Sequence, residues 1–200
     1  RAIVMFDVDW LNETERYCDF SDGLDQWSVF NYYEGIVGHC GYNRTAGCEL
    51  NENGKLQIKY IDNDSLVSGQ GGALWNFPAF RKGALTTSIS FNDENSSGFL
   101  LLNDRWFNPT DTTAKFLAPF AVSLNPKKLK MKPNKFHILR IEWNIDGLKP
   151  QAELFVDNKK RMTIPLDNES LHGLSYVHFF SDTRKDDNGF LIDWIRAEKK

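Results

Sequence analysis

The segment FHILRIEWNIDGLKPQAELFVD, residues 136–157, contains two successive runs in which apolar and polar side chains alternate. The alternating apolar residues are Leu139, Ile141, Trp143 and Ile145 in the first run, and Ala152, Leu154 and Val156 in the second. Alternation with a period of two residues indicates a strand with one buried and one solvated face. Because Asp146 and Gly147 supply a turn between the runs, the segment predicts an antiparallel pair of strands.

The rest of the chain repeats this pattern. About a dozen short apolar segments are separated by Gly, Asn, Asp and Pro, and none has a helical period of 3.6 residues. The pattern predicts an all-β fold, a two-sheet antiparallel β-sandwich of the jelly-roll kind.

We expect residues 116–124 to form a strand, residues 35–47 a long loop, and His137 to be exposed. Residues 1–18 are predicted to be an N-terminal strand or a connector from an upstream segment, and residues 19–200 a single sandwich domain.

Composition narrows the function classes. The 200 residues are 41% apolar and 14% aromatic, which is enough for a sizeable core. Lys and Arg number 24 against 27 for Asp and Glu, so the net charge of −3 argues against a nucleic-acid partner. No apolar run approaches the length of a membrane span. The basic run Lys127–Lys132 is predicted to be a solvated loop or edge.

Three cysteines, Cys18, Cys40 and Cys48, are too few for a disulfide scaffold. We expect three thiols, with a Cys40–Cys48 disulfide as the alternative. His39 precedes Cys40, but no neighbouring spacing of Cys or His supports a zinc site.

The stretch GFLLLNDRWFNPTD, residues 98–111, changes abruptly from a buried strand to a polar, aromatic segment. Its Trp106 lies beside a guanidinium and two amides, and Pro109 should end regular strand pairing. An indole can cover the apolar face of a sugar ring while amides and a guanidinium bind its hydroxyl groups. The stretch therefore predicts a sugar-binding surface. The alternative is that Trp106 and Phe107 close the end of the core.

Loops cluster at the ends of a sandwich, so further residues can converge on the same surface. The predicted ligand-binding residues are Trp75, Asn76, Arg105, Trp106, Asn108, His39, Arg44 and His178. His178 is assigned equally to the edge of the core or to the binding face. Arg105 and Arg44 favour an acidic glycan, because charge-assisted hydrogen bonds are the stronger ones. In the competing interpretation, Arg105 pairs with Asp104 or Asp111 and only braces the loop.

Several of these segments resemble the concanavalin A-like (laminin G-like) sandwiches of lectins and glucanases. They are the paired strands of residues 136–157, the early DFSDGLDQW and the late LIDWIRAE. In that group the first and last strands lie side by side. The segments GGALWNFP, NDRWFNPTD and SYVHFFS resemble accessory domains of bacterial sialidase-like glycoside hydrolases.

The resemblance implies a carbohydrate-binding or accessory domain of a polysaccharide-degrading system, with a glycan as ligand and a catalytic neighbour domain as a possible partner. The carboxylate pattern E-x-D-x-x-E of catalytic glucanase sandwiches is absent. One alternative is a glycoside hydrolase whose carboxylates, Asp104 and Asp111, come from separate segments. A second alternative is a structural domain that only packs against a neighbour.

A structural calcium ion is the one cofactor that the sequence suggests. Asp19 and Asp22 near the start and Asp193 in the last predicted strand converge if the first and last strands pair, and oxygen ligands suit this hard cation. The alternative is that Asp22 is simply a turn residue. We expect a secreted, periplasmic or cell-surface protein of bacterial origin.

Overall fold

The computed structural model describes residues 12–29, 31–36, 39–43, 48–61, 69–109, 111, 113–146, 148–182 and 188–200. The first strands are β1 (Glu15–Cys18), β2 (Trp27–Ser28), β3 (Asn31–Ile36), β4 (His39–Asn43), β5 (Cys48–Leu50), β6 (Leu56–Ile58), β7 (Tyr60–Ile61) and β8 (Gly69–Gln70). The later elements are β9 (Gly72–Phe80), β10 (Lys82–Phe91), β11 (Gly98–Asn103), α1 (Ala114–Leu117), β12 (Phe120–Leu124), α2 (Pro126–Leu129), β13 (His137–Asn144), β14 (Gln151–Val156), β15 (Lys159–Pro165), β16 (Leu174–Ser181) and β17 (Phe190–Lys199).

Two antiparallel sheets form the body of the molecule. The eight-stranded sheet has the order β15-β14-β13-β10-β17-β6-β5, and β1 pairs with β17. The five-stranded sheet has the order β12-β11-β16-β9-β2. Two short pairs, β3–β4 and β7–β8, complete the described strands. The predicted all-β two-sheet sandwich is therefore confirmed.

The inward residues of both sheets form one continuous hydrophobic core. Phe77 of the five-stranded sheet meets Trp143 of the eight-stranded sheet with their ring centroids 6.0 Å apart, and Trp75 packs against Phe77. The Trp143 indole nitrogen donates to the Phe80 carbonyl oxygen at 3.0 Å, so its polar atom is satisfied within the core. Aromatic contacts of this kind hold the two layers together.

Gly98, the first residue of β11, allows two neighbouring segments to approach closely. A Cβ atom at this position would lie 2.5 Å from the Phe180 carbonyl oxygen and 2.6 Å from the Phe190 ring. The absence of a side chain therefore lets β11 pair with β16 while Phe190 packs beneath it.

The strand pairs that decided the sequence interpretation are present. Leu139 pairs with Val156 and Trp143 with Ala152 across β13 and β14. The first described strand lies beside the last, since Tyr17 pairs with Arg196. The sandwich thus includes residues 15–18 as a strand, whereas residues 1–11 of the predicted N-terminal segment lie outside the described residues.

Some local predictions were wrong. Residues 39–43 form strand β4 within the segment 35–47 that was predicted to be a long loop, and β4 pairs with β3, which extends into the start of that segment. Residues 114–117 form a short helix ahead of β12, where a continuous strand was expected. Cys48 is a free, buried thiol, as is Cys18, so the alternative Cys40–Cys48 disulfide is not formed. None of the helices in the described part of the chain has the length and apolar character needed to span a membrane.

Candidate ligand-binding face

The outer face of the five-stranded sheet carries a row of polar side chains across three neighbouring strands. Asn103 ends β11 and pairs with Tyr176 of β16, which in turn pairs with Asn76 of β9. Directly paired residues project from the same face of a sheet, so these three side chains lie side by side. We call Asn103, Tyr176 and Asn76 the polar row.

The remainder of this outer face is covered by the chain that follows β11. Leu101 and Phe180 are buried beneath Ala114 and Ala118, and Phe107 packs against the same cluster. His178, fully buried, donates from Nε2 to the Pro109 carbonyl oxygen at 2.6 Å. The described residues between 104 and 118 therefore fold back over the sheet, burying Asn103 and leaving Tyr176 and Asn76 partly exposed at the margin of the covered area.

Trp106 lies on this returning segment. Its side chain is 45% exposed, and its indole nitrogen donates to the Ser28 hydroxyl at 3.5 Å. Ser28 pairs with Leu74, which lies two positions before Asn76 on the same face of β9. The indole thus borders the polar row and keeps a large part of its surface open to solvent.

Arg16 of β1 adds a cation beside the row. It donates to the Asn76 side-chain oxygen at 3.1 Å and to the Gln26 side-chain oxygen at 3.3 Å. Its guanidinium lies 5.8 Å from the Trp75 ring centroid. Partial burial lowers the pKa of Arg16 from its ordinary value, since desolvation disfavours the charged form.

Asn103 is fully buried, yet neither polar atom of its amide has a hydrogen-bond partner among the described residues. The Nδ1 atom of His178 is likewise unpartnered within the described part of the chain. An unpaired buried amide costs about 1–3 kcal/mol. Such a cost is rarely retained in a native fold without a compensating role.

Arg105 forms the ion pair that the competing interpretation proposed. Its Nε donates to Asp104 Oδ1 at 2.8 Å, and this contact raises the pKa of Arg105. The Arg105 side chain is nevertheless 63% exposed. Arg105 thus braces the loop while remaining open to solvent beside the exposed Trp106, and Asn108 lies partly exposed on the same segment.

Trp75 does not belong to the ligand face, which corrects the sequence prediction. Its side chain is fully buried and points inward, with its ring centroid 6.0 Å from that of Trp27. Strand alternation explains the difference, because Asn76 points outward and its neighbour in sequence must then point into the core. The side chains of His39 and Arg44 lie outside the part of the chain that the structure describes.

The two candidate catalytic carboxylates serve local structure. Asp104 pairs with Arg105, and Asp111 Oδ1 accepts hydrogen bonds from the backbone nitrogen and the hydroxyl of Thr113. No Asp or Glu occurs within the bounds of β2, β9, β11, β12 and β16. Glycoside hydrolysis by two carboxylates requires both beside the substrate, about 5 to 9.5 Å apart. The strands of this sheet cannot supply such a pair.

The predicted calcium ligands are engaged elsewhere. Asp193 pairs with Lys55, and Asp19 accepts from the backbone nitrogen of Ser21 at 3.1 Å, a bond that together with the Ser21 side chain lowers the pKa of Asp19. Asp22 is exposed in the turn that follows. The described residues contain no group of three or more His, Cys, Asp or Glu side chains arranged to hold a metal ion.

Sequence reasoning missed Asn103, Tyr176 and Arg16 as parts of the face. Tyr176 has the same parity as His178 in β16, so the alternation could have placed it on the outer face. The position of Arg16 depends on which strand pairs with β17, and no local pattern near Arg16 encodes that pairing.

Comparison with known proteins adds the fold relationship. Searches against protein-family models and against curated protein sequences return no match. Among solved structures, a sialidase superposes with a TM-score of 0.57 and 13% identity, over 92% of this chain and 18% of the sialidase. A family 16 endo-glucanase from Bacteroides ovatus superposes with a TM-score of 0.55 and 12% identity, over 91% of this chain and 99% of the enzyme. A glycosidic hydrolase superposes with a TM-score of 0.54 and 14% identity, over 92% of this chain and 95% of that protein.

These likenesses show a shared fold. The chain is a two-sheet sandwich of the concanavalin A-like kind, as the sequence resemblance implied. The chain spans less than a fifth of the sialidase and nearly all of the endo-glucanase, so the fold occurs both as part of a larger protein and as almost a whole one.

Proposed function

We propose that this chain is a carbohydrate-binding domain whose ligand lies on the polar row, with Trp106 stacked against a sugar ring. One observation carries the proposal: a half-exposed indole borders a row of amide and phenol groups on a rigid sheet. The indole offers an apolar surface, and the polar row offers donors and acceptors for hydroxyl groups. Within the row, Tyr176 and Asn76 are the partly exposed members and supply these groups.

Binding is favoured over catalysis by the chemistry of the same face. Its strands carry no carboxylate, and the nearby Asp104 and Asp111 are held by Arg105 and Thr113. An enzyme that uses Asp104 and Asp111 is the alternative; it predicts release of reducing sugar from a bound polysaccharide, lost in Asp104→Asn and Asp111→Asn.

We extend the proposal to a preference for acidic glycans. Arg16 contacts Asn76 of the polar row, and Arg105 is exposed on the neighbouring loop. A partly desolvated guanidinium attracts a carboxylate more strongly than a fully hydrated one does. A role as an accessory domain beside a catalytic neighbour, in a secreted, periplasmic or cell-surface protein, accords with this preference and is part of the same proposal.

Isothermal titration calorimetry tests the site. After a glycan array identifies ligands, Trp106→Ala should weaken binding at least tenfold, because the stacking surface is removed. The melting temperature should change little, since the residue is 45% exposed. The matched control is Phe116→Ala, which removes a ring that is 71% exposed on α1.

Two results would contradict the proposal. One is an array with no saturable ligand for the wild-type chain. The other is equal affinity of wild type and Trp106→Ala for every ligand found. The acidic preference is tested separately by Arg105→Ala, which should weaken binding of uronic- or sialic-acid glycans more than binding of neutral ones.

A further inference from the structure

The opposite side of the molecule carries an aromatic pair, the exposed Tyr17 of β1 and the partly buried Trp194 of β17. Tyr17 is 49% exposed, and its ring centroid lies 6.2 Å from that of Trp194 at an interplanar angle of 36°. Because Tyr17 pairs with Arg196, the two rings are diagonal neighbours on the outer face of the eight-stranded sheet. Their neighbours in sequence, Cys18 and Ile195, point into the core.

Two ion pairs flank the aromatic rings. Lys55 pairs with Asp193, and Arg196 Nη2 pairs with Glu15 Oε2 at 2.5 Å. Asp193 also accepts from the Ser88 hydroxyl at 3.5 Å. All of these side chains except Ser88 are partly exposed, so they keep donor and acceptor capacity toward solvent. The rings are thus flanked by hydrogen-bonding groups of both signs with no net charge among the four ions.

We propose that Tyr17 and Trp194 form a second carbohydrate-binding site, selective for a neutral glycan chain. The two rings cover the apolar faces of sugar residues, and the paired ions bind hydroxyl groups at the margin. An anionic sugar would have to displace an ion-pair partner, and the carboxylates of Asp193 and Glu15 would repel it. Desolvation, followed by the charges of Asp19 and Asp193, raises the pKa of Tyr17. This site is independent of the polar row and of its ligand.

The strand pairing makes the site rigid before the ligand arrives. Tyr17 and Trp194 lie in strands whose backbones are hydrogen-bonded to each other, and β17 is bonded to β10 on its other side. A preformed aromatic surface avoids the cost of ordering side chains on binding.

The two proposed sites lie on the outer faces of opposite sheets. One sugar residue cannot contact both, but one domain can bind two chains, or two distant parts of one chain. Simultaneous binding at two sites raises the overall affinity of a domain for a polysaccharide without further contacts at either site.

Affinity electrophoresis tests the inference with defined probes. Native gels containing mixed-linkage β-glucan, galactomannan or arabinoxylan should retard the wild-type chain in at least one case. Tyr17→Ala should weaken that retardation at least tenfold, whereas Tyr17→Phe should retain most of it, because the ring carries the contact. Trp106→Ala should remain retarded in the same gel, which separates this site from the polar row. Phe116→Ala serves as the control for loss of an exposed ring.

Folding of each variant is checked by circular dichroism. Tyr17→Thr provides a second variant with high strand propensity if alanine disrupts β1. The inference is overturned if no gel retards the wild type, or if folded Tyr17→Ala or Tyr17→Thr behaves as wild type. Loss of retardation in Trp106→Ala alone would also overturn it, while supporting the polar row.

Discussion

Asn103 is a residue whose contributions to stability and to the proposed function have opposite signs. It is fully buried at the end of β11, and its amide lacks a partner in the described part of the chain. A residue selected only for stability at this position would be apolar. Because Asn103 has no exposed surface, we interpret it as a positioning residue for its paired neighbour Tyr176, retained at a cost to folding.

Replacing Asn103 with Leu tests this interpretation. We expect Asn103→Leu to raise the free energy of unfolding by about 1 kcal/mol, because an unpaired buried amide is removed. Glycan affinity should fall at the same time. Urea unfolding and calorimetry report the two effects separately, and a variant that is destabilised with unchanged affinity would refute the interpretation.

On the eight-stranded sheet, a hydrogen bond between His137 and Asp157 affects stability in a pH-dependent way. His137 is buried rather than exposed: its Nε2 accepts from the Lys132 backbone nitrogen, and its Nδ1 donates to Asp157 Oδ2 at 2.7 Å. The prediction of exposure was wrong because His137 has the same parity as Leu139, which points into the core. The bond from His137 lowers the pKa of Asp157.

A lowered carboxyl pKa stabilises the fold above the pKa of the unfolded chain, about 3.9, and the stabilisation disappears as the pH falls through the folded-state value. Asp157→Asn should therefore cost about 1 kcal/mol at pH 7, reduced by the partial exposure of the carboxylate. The difference between variant and wild type should vanish in acid. Asn tolerates the positive φ of 49° at this position, so the substitution should not strain the backbone. Chemical unfolding at pH 7 and pH 3 is the measurement, and a difference that does not depend on pH would contradict this account.

At the scale of elements, the segment after β11 is held to the sheet by His178. Burial lowers the pKa of His178 to about 4, and its Nε2 hydrogen bond to Pro109 is made by the neutral ring. Protonation would place a second N–H at the unpartnered Nδ1 atom. The neutral imidazole of His178 therefore holds the loop that carries Trp106 through its hydrogen bond to the Pro109 carbonyl oxygen.

This arrangement predicts a pH dependence with a definite sign. The unfolded chain binds a proton at His178 below about pH 6.5, whereas the folded chain does so only near pH 4. Stability should therefore fall between pH 6.5 and pH 4, by about 3 kcal/mol, and not further below that range. His178→Gln, which keeps a donor toward Pro109 but does not titrate, should lose correspondingly less stability. Equal losses in both proteins would exclude His178 as the cause.

At the scale of the whole molecule, the two outer faces differ in chemistry. The five-stranded sheet presents a polar row beside Trp106 and a cation, and the eight-stranded sheet presents two aromatic rings among paired ions. The core between Trp106 and Trp194 is apolar and continuous, so a substitution at one of them has little means of affecting the other, whereas β1 supplies Arg16 to one surface and Tyr17 to the other. We expect double variants of the two faces to show additive losses in binding.

Calcium is also a question for the whole molecule, because the predicted ligands come from both ends of the chain. Asp193 pairs with Lys55, and Asp19 caps its own turn, so we expect a chelator to leave the melting temperature unchanged. Differential scanning calorimetry with EDTA and with added calcium measures this. A fall in EDTA that calcium reverses would instead support the site predicted from the sequence.

The fold could be read from the sequence because strand alternation is a local property. The residues between Leu139 and Val156 show both their strand periodicity and the turn between them within a short window, and the structure pairs them accordingly. The same local reading placed Trp106 after a buried strand, and the ring is indeed half-exposed there. The alternation of strand residues was applied wrongly at two positions. It places Trp75 on the face opposite to Asn76, and it places His137 on the same buried face as Leu139.

Only the tertiary structure decided which residues meet. Arg16 contacts Asn76, 60 positions away in sequence, because β1 lies next to β9. Tyr17 contacts Trp194 because β1 pairs with β17. Such contacts depend on the order of strands in each sheet, which short-range patterns do not encode. The sequence alone therefore determined the strands and their buried faces, whereas the pairing of distant strands assembled both candidate surfaces.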